Sequence, residues 1–352
     1  MKNVLLTGGA GFIGSHVAAD ILENTGWQLT VLDRLDCSGT LNRLARIGAA
    51  KNPRVRFVYH DLRAPISEYV APFIGPQDYI LHLGAATHVD RSIEDPLSFV
   101  YDNVVATCNL LNYARSHPCE KFLYFSTDEV FGPAAPGMSF KEWDRYKSSN
   151  PYAAAKAGGE ELAIAFANTY RMPVIVTHTM NVIGPMQHYE KFVPSTIKKI
   201  LLGEEVHIHA DAACEKPGSR FYIHARNVAN AVRFLMAEGV AGDKYNIVGE
   251  QELDNLQLAK CIEKFVGKPL KYSLVSFHAS RPGHDLRYAL CGEKMASLGW
   301  SPPVAIEESV RQTVGWYLQN PRWLGLSDAS VDGADAGICQ PPAVRNIAGS
   351  RR

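Results

Sequence analysis

Two short clusters of side chains in this chain have residue types and spacing that could do chemistry. The first lies in Asn150-Pro151-Tyr152-Ala153-Ala154-Ala155-Lys156. Proline suits the first turn of a helix and the alanines continue it. Spacing i, i+4 then sets the Tyr152 phenol and the Lys156 ammonium on one face. An ammonium beside a phenol favours the phenolate, so Tyr152 is a candidate base near neutral pH. Tyr-x-x-x-Lys is common on its own, and it gains weight here from the dinucleotide-type loop upstream. The second cluster is Ser126-Thr127-Asp128-Glu129, at the end of an apolar run. Strand neighbours point to opposite faces, so both carboxyls can reach one site only if the chain leaves strand geometry at Asp128. Two close, partly buried carboxyls push their pKa values apart, leaving one proton donor and one acceptor. Such a pair can eliminate water across a carbon–carbon bond; the plainer alternative is a solvated acidic turn.

Apolar runs at 3–7, 29–33, 55–60, 79–84, 121–127 and 174–177 read as strands that position these groups. Helical patterns at 13–24, 96–116 and 151–170 fall between them. The runs are apolar on both faces, as expected for strands covered by helices on each side. Strand–helix alternation predicts an α/β fold, a Rossmann-type, doubly wound parallel sheet. Gly8-Gly9-Ala10-Gly11-Phe12-Ile13-Gly14 follows the first strand and opens the first helix. Glycines there allow a tight turn and close backbone approach to a pyrophosphate, which the helix N-terminus then binds. Asp33 ends the second strand, where a ribose-binding acid belongs. It favours NAD over NADP, and the adjacent Arg34 weakens that preference. Asp61-Leu62 and Leu83-Gly84-Ala85-Ala86 lie at strand carboxyl ends, the edge that ligands cross, although an ordinary turn explains either segment equally well.

Beyond residue 178 the glycines and prolines break the pattern. A Rossmann unit of 1–178 plus 220–240 is expected, with a smaller, irregular C-terminal substrate unit of 179–219 plus 241–325. One helix, 225–238, returns to the sheet, and 326–352 is expected to be a flexible tail. Lys plus Arg and Asp plus Glu number 36 each, which gives no reason to expect nucleic acid or an anionic membrane as partner. No apolar run reaches membrane-spanning length, and the chain enters its first strand without room for a signal peptide. The seven scattered cysteines include no C-x-x-C pair, so no disulfide framework or structural metal is expected, and a reducing cytoplasm is. His207 and His209, spaced i, i+2, fit a strand with one wet face better than a metal site.

The glycine loop, Asp33 and the Tyr152/Lys156 pair together resemble the extended short-chain dehydrogenase/reductase superfamily. Ser126-Thr127-Asp128-Glu129-Val130-Phe131-Gly132 is similar to the S-T-D-E-V-Y-G segment of the dTDP-glucose 4,6-dehydratases. His88-Val89-Asp90-Arg91-Ser92-Ile93, Tyr189-Glu190-Lys191-Phe192-Val193-Pro194 and Arg281-Pro282-Gly283-His284-Asp285-Leu286-Arg287-Tyr288 resemble further motifs of that family. The resemblance implies a resident NAD, held by Gly8, Gly11, Phe12, Ile13, Gly14, Asp33, Arg34, Asp61, Leu62, Leu83, Ala85, Ala86, Tyr152 and Lys156. It implies a nucleotide-diphosphate hexose as substrate, met by His88, Asp90, Arg91, Asn181, Lys191, Arg220, Asn255, Arg281 and His284. It assigns Tyr152, with Lys156 and Thr127, to the sugar C4 hydroxyl, Glu129 to the C5 hydrogen and Asp128 to the departing C6 hydroxyl. It also implies a homodimer joined through a four-helix bundle of 96–116 and 151–170.

The chain departs from the family at Thr179-Met180-Asn181-Val182-Ile183-Gly184-Pro185 and in His207–Lys216, and the loop from Gly132 to Tyr152 is shorter. These departures leave the nucleotide and the hexose open. A nucleotide-sugar 4-epimerase needs no Asp–Glu pair after Thr127, and a UDP-glucuronate decarboxylase needs no acid for a C6 hydroxyl. Asp128 therefore discriminates among them. A catalytically silent NAD-binding regulator is the alternative of another class.

Overall fold

The computed structural model describes residues 1–36, 38–276 and 285–326. Arg281, His284 and residues 327–352 of the expected tail lie outside them.

Six strands fall where apolar runs predict them: β1 (Asn3–Thr7), β2 (Gln28–Asp33), β3 (Val55–Tyr59), β4 (Tyr79–His82), β5 (Lys121–Thr127) and β6 (Val174–Thr179). They pair in parallel in the order β6-β5-β4-β1-β2-β3. A seventh strand, Lys244–Ile247, pairs in parallel with β6 and comes from the segment expected on the substrate side. Its four residues are all buried, and a strand of four residues carries too little periodicity to be read in advance.

Side chains alternate across this sheet, and both faces are covered. Val4 and Leu6 of β1 pack into one core with the helices Phe12–Asn24 and Ala225–Glu238. Leu5 between them packs into a second core, with the helices Ala106–Ser116 and Pro151–Tyr170. The helix expected over 96–116 is a continuous helical run interrupted by a π-helical stretch, Tyr101–Val105. A π-turn inserts one residue into the ladder and frequently marks a functional site.

A further cluster gathers Val193, Ile197, Leu258, Ile262, Val310 and Val314 from the helices Phe192–Leu202, Asn255–Val266 and Ile306–Gln319. Beside it Glu205–Ala210 pairs in parallel with Lys271–Ser276. His207 lies on the exposed side of that strand, with Val206 and Ile208 buried beneath.

Strand order reverses between β1 and β4, and in an open α/β sheet ligands bind outside the carboxyl ends at such a point. The glycine loop after β1 and the 84–86 segment after β4 flank it.

Candidate active site

One cleft at the sheet's carboxyl edge collects all the expected cofactor residues, from Gly8, Gly11, Phe12, Ile13 and Gly14 through Asp33, Arg34, Asp61, Leu62, Leu83, Ala85 and Ala86 to Tyr152 and Lys156. Thr127, Asp128, Glu129, His88, Arg91, Asn181 and Lys191 line it too.

The glycine loop is packed backbone to backbone. Gly8 has φ +70°, and a Cβ there would lie 2.7 Å from the Gly84 Cα; a Cβ on Gly14 would lie 2.1 Å from the Gly8 carbonyl. Only glycine allows this approach. Gly11, the N-cap of Phe12–Asn24, makes no side-chain cap, so the helix's leading N–H groups face the cleft uncapped. The loop therefore fits a dinucleotide pyrophosphate.

Asp33 accepts from the backbone N–H of Ala10 (3.0 Å), which ties β2 to the loop, and from that of Leu35 (2.9 Å) in its own turn. Burial pushes its carboxyl up. Arg34 is held by Asp36 at 2.7 Å and Asp102 at 2.5 Å, with Asp61 at 3.7 Å. Three carboxylates around one guanidinium leave little positive field for a 2′-phosphate. The arginine that weakens the NAD preference in sequence is thus committed within the fold.

Asp102 and Asn103 both come from the π-turn. Asn103 accepts from the Ala86 N–H (2.8 Å) and donates to the Ala86 carbonyl (3.0 Å), fixing the 84–86 segment. No motif marks either residue, since their roles depend on where an irregular helical turn places them.

Asp128 departs from strand geometry as the paired carboxyls require: Asp128–Phe131 is a 3₁₀ turn directly after β5. Thr127 caps that turn, and its hydroxyl donates to Asp128 Oδ1 at 3.0 Å. Asp128 is 4% exposed, and its Oδ2 has no hydrogen-bond partner. Burial, then the charge of Glu129, push its carboxyl up to about 7, with Arg220 opposing. Burial also raises Glu129, opposed by Asn150, whose Nδ2 donates to Glu129 Oε2 at 3.1 Å. The same Asn150 caps the helix Pro151–Tyr170 by accepting from the Ala153 N–H at 2.8 Å. An asparagine just before Pro at a helix start is a readable N-cap signal; its grip on Glu129 is not.

Tyr152 is 8% exposed and hydrogen-bonded to the Thr127 side chain. Burial and Glu129 hold its phenol above the usual range, and the Thr127 bond opposes them. Lys156 donates to the Phe125 carbonyl at 2.7 Å and sits 4.3 Å from the centre of the Tyr124 ring. Burial lowers it to about 7.

On the substrate side, His88 lies 3.5 Å and Arg91 3.6 Å from the Glu190 carboxylate. Burial, then Lys191 and Arg91, push the His88 imidazole down to about 4. Asp90 lies off the cleft, 4.0 Å from His88. Arg220 does not line the cleft: its guanidinium donates to the carbonyls of Ser219, Asp285 and Leu286 and stacks on Tyr288 at 4.5 Å. Its charge still reaches both Asp128 and Glu129. Asn255 also lies outside the cleft and accepts from the Tyr222 hydroxyl at 2.5 Å. Gln187 and His188 line it too, although no motif marks them in the sequence.

Residues 4–248 match the model of the NAD dependent epimerase/dehydratase family. The chain is 38% identical over 341 residues to a dTDP-glucose 4,6-dehydratase of Neisseria gonorrhoeae, covering 91% of this chain and 96% of that one. A dTDP-glucose 4,6-dehydratase from Streptomyces venezuelae, solved with NAD bound, superposes with a TM-score of 0.81 at 34% identity, covering 91% of this chain and 98% of the other. A UDP-glucose 4-epimerase from Thermus thermophilus, solved with NAD, gives 0.80 at 27% identity, covering 90% and 99%. Overall shape therefore does not separate the two chemistries, and local residues must. On the match of residues 4–248 and the identity to the curated dehydratase, this chain belongs to the NAD dependent epimerase/dehydratase family.

Proposed function

We propose that this chain is an NAD-dependent nucleotide-sugar 4,6-dehydratase, a hydro-lyase that converts a nucleotide-linked hexose to its 4-keto-6-deoxy form and water. The observation that carries the reading is Asp128. It is a buried carboxyl raised to about 7 with an unpartnered oxygen, next to Glu129 and within the Tyr152 cleft. An epimerase or a decarboxylase has no use for a proton donor there.

The glycine loop and Asp33 would hold NAD, which when bound would supply the acceptor for the C4 hydride and its source for C6. Tyr152 accepts the C4 hydroxyl proton, and the Thr127 side chain beside it opposes the upward push that burial and Glu129 give its phenol. Lys156 adds positive charge on the same helix face. The resulting C4 carbonyl acidifies the C5 hydrogen. Glu129, oriented by Asn150, removes it. Asp128 protonates the departing C6 hydroxyl; a carboxyl with a pKa of about 7 is protonated in about half of the molecules at neutral pH, enough to serve as the donor.

Asn181, Lys191, His88 and Arg91 would meet the sugar diphosphate from within the cleft, while Asp90, Arg220 and Asn255 stand outside its lining and Arg281 and His284 lie outside the described residues. Residues 1–178 with 220–240 would form the cofactor unit, and 179–219 with 241–325 the substrate unit.

A homodimer through 96–116 and 151–170 is part of the proposal. It is supported by Leu97, Val100 and Tyr101, which are 59%, 41% and 48% exposed on a helix otherwise packed on the sheet. A cytoplasmic location is supported by five free cysteines among the described residues. None of the described helices is long and apolar enough to cross a membrane.

The test is mass spectrometry of products from dTDP-, UDP-, GDP- and CDP-sugars. Loss of water is expected. An unchanged mass with inverted C4 indicates an epimerase, loss of carbon dioxide a decarboxylase, and no turnover at all a non-catalytic NAD-binding protein.

A further inference from the structure

Directly behind the catalytic helix lies a buried polar cluster that the reaction as described does not use. Glu160 sits one helical turn beyond Lys156, on the face that carries Tyr152 and Lys156. It is fully buried, as is His178 of β6, and Lys244 of the seventh strand is 4% exposed. His178 Nε2 lies 3.0 Å from Glu160 Oε1, and Lys244 Nζ lies 3.0 Å from the same oxygen. The Tyr146 hydroxyl donates to Glu160 and is itself contacted by Lys244. The other His178 nitrogen meets Asn246 at 3.0 Å. Three separate elements, β6, the seventh strand and the 132–150 loop, therefore converge on one buried carboxylate of the catalytic helix.

A buried ionic cluster is seldom the best way to fill a core, since well-packed apolar residues commonly do as well or better. Its retention beside the catalytic pair calls for another role. We propose that Glu160 is a positioning residue whose fixed negative charge keeps Lys156 cationic beside Tyr152.

Burial opposes the charge of Lys156. The Tyr124 ring and the Phe125 carbonyl that its ammonium contacts favour the cation but carry no net charge, His82 faces it from β4, and Tyr152 shares its helix. Against burial, the charge that supports the ammonium is that of Glu160. Burial alone would protonate Glu160 as well. His178, then Lys244 and Tyr146, hold it well below the usual carboxylate range, so its charge persists across the working pH. Glu161 on the same helix and Tyr124 on β5 complete the groups around it. Tyr146 also brings the 132–150 loop, which ends in Asn150, onto the same anchor.

The inference rests on the dehydratase reading, and its test isolates the step that uses Lys156. Nicotinamide reduction is followed in single turnover with the NAD-loaded full chain and the nucleotide sugar that the unaltered protein dehydrates, since this step precedes any use of Asp128. Glu160→Gln alone leaves Lys244 as a buried cation without its carboxylate and can fail to fold. The informative pair is therefore Lys244→Met against Lys244→Met/Glu160→Gln. In the double variant the loss of rate at high pH is expected to begin about one pH unit lower than in Lys244→Met. KM should be little changed, because Glu160 does not line the cleft. Glu160→Asp, which keeps the charge, should keep the limb of the unaltered protein. An alkaline limb at the same pH in both members of the pair overturns the inference while leaving the dehydratase reading intact. Failure of the unaltered chain to dehydrate any nucleotide sugar overturns both.

Discussion

Asp128→Asn removes the proton donor while nearly preserving shape. An amide cannot protonate a departing hydroxyl, so turnover should fall by about 10²–10⁴-fold, the usual contribution of a general acid. The C4 oxidation that precedes it needs only Tyr152, Thr127 and Lys156. The nicotinamide should therefore become reduced and stay reduced, visible in its absorbance. The same substitution should leave a thermodynamic signature. The Asp128 carboxyl stands at about 7 in the folded chain against an ordinary value of 3.8. At about 1.4 kcal/mol per pH unit, keeping it folded and ionised costs up to about 4 kcal/mol. The folded pKa is the higher one, so the folded state binds the extra proton between pH 3.8 and about 7. Stability is full below that window, falls as pH rises through it, and is flat above. The introduced amide does not titrate, so the variant should gain on the unaltered protein as pH rises. At ~2–4 °C per kcal/mol, the gap in Tm should widen by several degrees between about pH 5 and pH 8. Thermal melts of the NAD-loaded protein at the two pH values measure it. A gap that stays constant with pH, or turnover within a few-fold of the unaltered chain, would refute the assignment of Asp128 as the buried acid.

Three further outcomes follow from the same geometry. Glu129→Gln should lower turnover by a similar ~10²–10⁴-fold and abolish uptake of solvent deuterium at C5, which mass spectrometry of recovered sugar nucleotide reads directly. Asn150→Ala should cost about 1 kcal/mol as a lost helix cap and slow turnover by freeing Glu129. Asn150→Asp should keep the cap yet still lose rate, because a carboxylate repels Glu129 and cannot donate to it. Gly14→Ala places a methyl 2.1 Å from the Gly8 carbonyl, so the loop must open. Weakening of NAD binding by at least about tenfold is expected, measured as NAD retained through purification.

Much of the fold was legible because the signals were local. The apolar runs at 3–7 and 121–127 coincide with β1 and β5, and the 151–170 helix has the predicted bounds because Asn150 and Pro151 mark its start. The seventh strand was not legible: Lys244–Ile247 is too short to show a period and is held in place by β6. The 96–116 helix was expected unbroken, since no proline or glycine announces a π-turn at Tyr101–Val105. Arg34 illustrates the site-level version of this limit. Its neighbour in sequence is Asp33, but its three carboxylate partners come from 36, 61 and 102, a set that only folding assembles.

The chain's own order of residues determined which chemistry is available: a glycine loop opening a helix, a tyrosine and lysine four apart, and two adjacent carboxyls after a strand. These are matters of backbone freedom, helical pitch and residue type, which act over a few positions. Tertiary structure alone decided the electrical character of those groups. The depth that lifts Asp128 to about 7, the Thr127 bond to Tyr152 and the Glu160–His178–Lys244 cluster behind Lys156 all join residues distant in sequence. Desolvation and Coulomb interactions depend on which atoms surround a charge, and that is fixed only once the helices have closed over the sheet.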